Sequence, residues 1–225
     1  MRFQDAARDA RAVVYAGIQA DPLVARAAEL LADANHAQRV LARAVMNGES
    51  TDADAWRATF PSLFGQAIPE DGERAASEAI LAASLAVADR GDQVRSQVRG
   101  AIVEELTATL LARRVGEAAI RRERRVLFDG VRAEIHPYDV TVERDPSPEV
   151  YDCKWGARGI NGDVLHQLDD AREHAADEDE RLAVSLVVFD ATRSCSARLA
   201  SQTAPYESTA IVTLETLDAL ADGPA

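Results

Sequence analysis

The sequence has almost no lysine. Of its 25 basic residues 24 are arginine, and Lys154 stands alone. It has two cysteines, Cys153 and Cys195, too few for a disulfide framework or a cysteine zinc site, so a reducing compartment is expected. No stretch approaches the roughly 20 apolar residues of a membrane span, and the opening Met1-Arg2-Phe3-Gln4-Asp5-Ala6 lacks the apolar core of a signal peptide. Membrane and secretory roles are set aside, and a cytoplasmic protein is expected. What is present is a chain of 225 residues, 47% hydrophobic and 28% charged, with a net charge of -13. That balance argues against disorder, and the length suffices for one sizeable core or for a small domain beside a larger one.

The lone lysine carries information only through its neighbours. An alanine- and arginine-rich chain suggests coding drift that replaces exposed lysine with arginine. A site that needs a compact ammonium resists the exchange, because the two groups differ in shape and pKa.

The first ninety residues read as helix. Asp21-Pro22 supplies an N-cap followed by proline at the first helical position, Asn47-Gly48 supplies a stop, and Phe60-Pro61 and Ile68-Pro69-Glu70-Asp71-Gly72 break the chain again. Residues 1–90 are therefore expected to form an all-α domain. Beyond Gly91, Asp92 to Val115 predicts a helix apolar over most of its circumference and hence covered on several sides. Three β-type runs follow, Arg121 to Phe128, Val131 to Glu143 and Glu149 to Trp155, with turns at Asp129-Gly130 and Asp145-Pro146. They suit a meander. A glycine-bearing loop, a helix from Asp163, a strand Leu182 to Phe189, a short helix near Ala197, a strand Ala210 to Leu214 and a last helix to Ala221 complete an α/β domain over 91–225, a mixed central sheet flanked by helices.

The chemistry lies in His136-Pro137-Tyr138-Asp139 and Asp152-Cys153-Lys154. A hairpin between those strands brings Asp139 beside Asp152, and alternation places Asp152 and Lys154 on one face. Two carboxylates in close approach repel unless a cation lies between them, and oxygen donors suit a hard ion such as Mg²⁺. An ammonium beside such a pair can position water or offset charge on phosphorus, which points to phosphodiester hydrolysis. Glu104 and Glu105 sit in an otherwise apolar helix, where an unpaired carboxylate is costly, so one of them is expected to turn toward the same polar pocket. Gln167, one turn into the next helix, could orient water or phosphate. With 38 acidic residues in the chain, Asp-x-Lys alone says little. The ordered set of acidic helix, Asp strand, hairpin, Asp-x-Lys strand and Gln helix says more.

That set, over Asp92 to Ala221, resembles the PD-(D/E)xK nuclease superfamily, with Pro137-Tyr138-Asp139 and Asp152-Cys153-Lys154 as the two halves of the motif. Gly100-Ala101-Ile102-Val103-Glu104 looks like the Mrr-type opening, in which glycine precedes the helical glutamate by four positions, and this register favours Glu104. A tyrosine separates the proline from the aspartate, a departure at the motif's most dispensable element. The resemblance implies a restriction-endonuclease-like fold in which Asp139, Asp152 and the backbone carbonyl of Cys153 bind Mg²⁺, with Mn²⁺ as substitute. It further implies that Glu104 supports the site, Lys154 acts on water or phosphate, and Gln167 assists from its helix.

Arg121, Arg122, Arg124 and Arg125 continue an arginine-rich stretch from Arg113 and Arg114 that contains only Glu117 and Glu123 as acids. Such a strip, extended by Arg158, suits contact with a phosphate backbone. The net negative charge disfavours strong nonspecific binding by the chain alone and favours a homodimer or partner protein joined through the N-terminal helices. The expected function is a metal-dependent nuclease, DNA before RNA, in a bacterial defence or restriction-type system. The competing readings are a nuclease-like module that binds nucleic acid or scaffolds an assembly without turnover, and an α/β interaction protein whose Asp-Lys pair is structural.

Overall fold

The computed structural model describes residues 1–6, 10–48, 50–65, 72–129, 131–132, 136–202 and 210–223. The chain divides into two compact units, one of Met1–Asp9 with Thr107–Ala225 and the other of Ala10–Leu106. Along the chain, β1 (Arg2–Asp5) precedes α1 (Ala10–Gln19), α2 (Pro22–Ala32), α3 (His36–Asn47), α4 (Ala53–Thr59), α5 (Pro61–Phe64), α6 (Gly72–Ala88) and α7 (Asp92–Val115). Strands β2 (Ile120–Phe128), β3 (Val131–Arg132), β4 (Tyr138–Val142) and β5 (Glu149–Lys154) follow. The chain then continues through α8 (Gly162–Asp177), β6 (Ala183–Val188), α9 (Thr192–Ala200), β7 (Ala210–Val212) and α10 (Ala219–Asp222). No helix among the described residues is long and apolar enough to cross a membrane.

The helical unit is built where the sequence carries caps. Asp21 accepts a hydrogen bond from Leu23 N–H ahead of Pro22, and Asn35 and Gln38 form a reciprocal capping box that opens α3. Gln38 also donates to Ser77 Oγ at 3.0 Å, which ties α3 to α6. The Leu23 N–H, assisted by the Arg90 guanidinium, holds the Asp21 carboxyl below its ordinary range. A carboxyl with a lower pKa folded than unfolded contributes stability that is complete above its unfolded value and is lost as the pH falls through its folded value. Asp21→Ala is therefore expected to cost about 1 kcal/mol at neutral pH. It should also weaken the loss of stability below about pH 4; urea unfolding at both pH values reads the two effects.

In the sheet unit the strand order is β1-β2-β4-β5-β6-β7, with β3 also paired to β2. β2, β4 and β5 pair antiparallel in succession as the expected meander, and β5, β6 and β7 pair parallel. The result is the mixed sheet flanked by helices. One face packs Val126, Phe128, Val150, Leu186 and Val188 against Leu165, Leu168 and Ala171 of α8. On the opposite face, Cys153 contacts Thr107, and Arg114 near the end of α7 bonds to Glu149 and Tyr151.

Two expectations need correction. Residues 1–90 are not helical throughout, since β1 pairs antiparallel with β2, Arg2 opposite Leu127 and Asp5 opposite Arg124. Four residues are too few to display a period, and this strand exists through a partner far away in sequence. The boundary between the units also falls inside α7, at Leu106–Thr107, and not at residue 90. The expected breaks at residues 68–71 and at Gly130, and positions 133–135 of the expected second strand, lie outside the described residues.

Candidate active site

The register of β4 on β5 pairs Val140 with Tyr151, so the next step along the hairpin sets Asp139 opposite Asp152. The Asp139 carboxylate accepts a hydrogen bond from Cys153 N–H at 2.6 Å. A side chain thus bonds β5 where a regular ladder would use a backbone carbonyl. The adjoining strand is irregular at the same level. Glu123, which falls between the pairs Arg122–Val140 and Arg124–Tyr138, has φ 52°. Tyr138 packs with the α8-side cluster, whereas Val140, two residues on, lies opposite Tyr151, whose hydroxyl meets Arg114 of α7. Regular alternation is broken between Tyr138 and Val140, although the register of β2 on β4 stays one to one. Tyr138 is the residue off alternation, and Asp139 keeps the face of Asp152.

Asp152 is buried, and Lys154 donates to its Oδ1 at 2.8 Å. Burial by itself lowers the Lys154 pKa, but the charges of Asp152 and Asp139 overcome it and hold the amine above the ordinary lysine range. One ammonium thus faces two carboxylates from adjacent strands. The turn that follows confines it. A Cβ built on Gly159 would lie 2.8 Å from Lys154 Cβ and 2.9 Å from its Cγ, so only glycine lets the 3-10 turn Ala157–Gly159 seat on the lysine stem. The same turn is tied to β6 by Asp190. Its Oδ2 accepts from Ala157 N–H at 3.0 Å, its Oδ1 accepts from Ala191 N–H at 2.8 Å, and Phe189 N–H donates to Lys154 O. Trp155 stacks on Phe189 with centroids 5.0 Å apart.

Gln167 is buried, and both ends of its amide hold one residue: Nε2 donates to His136 O and Oε1 accepts from His136 N–H, each at 3.1 Å. Tyr138 Oη donates to the Gln167 carbonyl. The glutamine thus anchors the chain entering β4, three residues before Asp139. Replacing it with leucine leaves two backbone groups of His136 without their partner. A loss of about 1–3 kcal/mol is expected, measured by chemical unfolding.

Glu104 lies on the part of α7 that belongs to the helical unit. It is buried, Glu105 less so, and its carboxylate accepts hydrogen bonds from Tyr15 Oη and from Gln19 Nε2, the latter at 2.8 Å. The Gly100 position of the expected motif faces the same tyrosine: a Cβ built on it would lie 3.2 Å from Tyr15 Oη. Sequence reasoning missed Tyr15 and Gln19, which no pattern marks as partners of a residue 85 positions or more away. It also missed Gly159 and Asp190. The second left a trace: it is an acid that ends the buried run Leu186-Val187-Val188-Phe189.

The arginine strip divides. Arg124 ion-pairs with Glu143 and with Asp5 across β1, and Arg121 donates to the carbonyls of Ala118 and Ile120. Arg114 pairs with Glu149 at 2.7 Å. Arg122 and Arg125 are partly buried and engaged within the fold, whereas Arg158 is exposed. Arg124 and Arg114 therefore serve the fold.

The donors around Lys154 are oxygen atoms, the kind a hard divalent ion takes. Asp152 keeps its second carboxylate oxygen outside any hydrogen bond among the described residues. Among those residues no three His, Cys, Asp or Glu side chains gather as a metal group. The candidate set has another composition, two carboxylates with the Cys153 carbonyl.

No family model matches the chain, and neither a curated protein nor a solved structure matches it.

Proposed function

We propose that the protein is a metal-dependent nuclease of the PD-(D/E)xK kind that hydrolyses phosphodiester bonds, with DNA as the favoured substrate. The observation that carries this reading is the convergence of Asp139, Asp152 and Lys154 at the ends of two adjacent antiparallel strands. Asp139, Asp152 and the Cys153 carbonyl would hold Mg²⁺ or Mn²⁺. The ion, when bound, supplies Lewis-acid activation of water and phosphate. The Lys154 ammonium offsets charge on the phosphate as water adds to phosphorus and the ester P–O bond breaks, yielding a phosphomonoester and a free hydroxyl. Asp190 and Gly159 position the lysine, and Gln167 positions the entry to β4. No step is assigned to Glu104.

The helical unit is proposed to dock a second copy or a partner protein. Val13 and Val14 of α1, 62% and 61% exposed, supply apolar surface for it. A defence or restriction-type role in the cytoplasm follows only by analogy with the family.

Labelled DNA duplex, single strand and RNA incubated with the protein in Mg²⁺, in Mn²⁺ and in EDTA test the reading. Cleavage of at least one substrate, dependent on the metal, is expected. Binding without cleavage of any of the three in either metal would replace it with the non-catalytic binding module.

A further inference from the structure

We infer that the turn Ala157–Gly159 and the exposed side of α9 form the surface that holds the nucleic-acid backbone, with Arg158 and Arg193 as its phosphate contacts. The inference deepens the nuclease reading and rests on it for the class of ligand.

Charge distribution is the first argument. The segments 155–162 and 191–202 hold Arg158, Arg193 and Arg198 and no acidic residue, in a chain with 38 acids and a net charge of -13. Nucleic-acid affinity is built from such local contacts with phosphate, whatever the total charge of the protein. A guanidinium also presents the planar donor fork that phosphate oxygens match.

Placement is the second. Lys154 ends β5 opposite Val188 at the end of the parallel strand β6. The turn begins three residues after Lys154, and α9 begins four residues after Val188. Both therefore rise from the carboxyl ends of parallel strands, where ligands of open α/β sheets bind. Arg198 Nε donates to Ile160 O at 2.8 Å and latches α9 to the end of the turn, which brings the elements that carry Arg158 and Arg193 together. The turn itself lies against the Lys154 stem.

Availability is the third. Arg158 and Arg193 are exposed, and neither has an ion pair or hydrogen bond among the described residues, in contrast to Arg114 and Arg124. Of the nearby acids, Asp163 in the first turn of α8 is exposed, whereas Asp190 and Glu215 are held by the protein. Asp190 is buried on two backbone N–H groups, and Glu215 accepts from Thr192 N–H and Oγ1 at the first turn of α9. Because Glu215 closes that helix end, contact falls to the arginines, with the exposed hydroxyls of Ser194 and Ser196 beside them.

The test is fluorescence anisotropy of the full chain with a labelled DNA duplex, the matching single strand and the matching RNA, in EDTA across a salt series. The double variant Arg158→Gln/Arg193→Gln should weaken binding to whichever probe the wild type prefers. It should also reduce the salt slope by about 2, one for each lost phosphate contact. Arg181→Gln, an exposed arginine that precedes β6 at its other end, should change neither. Thermal melting establishes that all variants are folded. A double variant with wild-type affinity and slope overturns the inference even if the wild type cleaves, and the nuclease reading then stands. Arginine-dependent binding by a wild type that cleaves nothing in Mg²⁺ or Mn²⁺ supports the inference and ends the nuclease reading. A wild type that binds none of the three probes overturns the inference.

Discussion

Lys154→Gln is expected to lower metal-dependent cleavage by about 10³-fold or more, the scale on which one preorganised group acts on a charged transition state. Glutamine keeps an N–H donor for Asp152, so the 2.8 Å contact has a substitute and the fold should hold while the positive charge is lost. Lys154→Ala removes the donor as well and leaves Asp152, only 5% exposed, without its partner, so a loss of stability is expected in addition. Lys154→Arg should fail to restore turnover. Its wider planar head carries the same charge but cannot occupy the space of an ammonium between two carboxylates and beneath the turn at Gly159. Single-turnover cleavage of labelled DNA, with melting curves for each variant, decides the matter. A Lys154→Gln protein that cleaves within about tenfold of wild type would remove the lysine from the chemistry.

Gly159→Ala is expected to act on the same lysine from the other side. The added methyl would stand 2.8, 2.9 and 3.0 Å from Lys154 Cβ, Cγ and Cδ. The first two of these lie at the root of the side chain and cannot swing away, so either the stem tilts or the turn lifts from β5. Overpacking of this kind costs about 1–3 kcal/mol. A displaced ammonium should lower turnover by about 10²-fold. A double-mutant cycle separates the cause from general damage. In a Lys154→Ala background Cγ and Cδ are absent, so Gly159→Ala should destabilise less than in wild type, a coupling of about 0.5 kcal/mol or more. Equal destabilisation in the two backgrounds would mean that the glycine serves the turn alone. This cycle is read by unfolding and is informative whether or not the protein proves to be a nuclease.

Much of α7 and of the sheet unit was legible in the chain because these elements declare themselves locally. Helix α7 was bounded at Asp92 and Val115 by its apolar circumference and by Gly116, and the meander was readable from three runs separated by turns. The placement of Asp152 and Lys154 on one face followed from the period of two along β5, which needs no knowledge of any partner. Other features were not legible. The pairing of β1 with β2 and the hold of Gln167 on His136 join residues far apart in sequence, and neither residue type signals its partner. The positive φ at Glu123 belongs to a residue that sequence reasoning counted only as a charge.

The sequence by itself determined which groups are available: one ammonium in an arginine-rich chain, an aspartate two residues before it on the same strand, and a second aspartate one hairpin away. Those follow from covalent order and from the alternation of a strand, both of them local. Only the tertiary structure decided what each group touches. It set Asp139 on the Cys153 N–H across the hairpin, held Lys154 under the turn at Gly159 that Asp190 ties down, and committed Arg114 and Arg124 to ion pairs while leaving Arg158 and Arg193 exposed. The physical reason is that charge neutralisation and close packing act over a few ångströms in space, and the residues that come that close are chosen by the topology of the sheet.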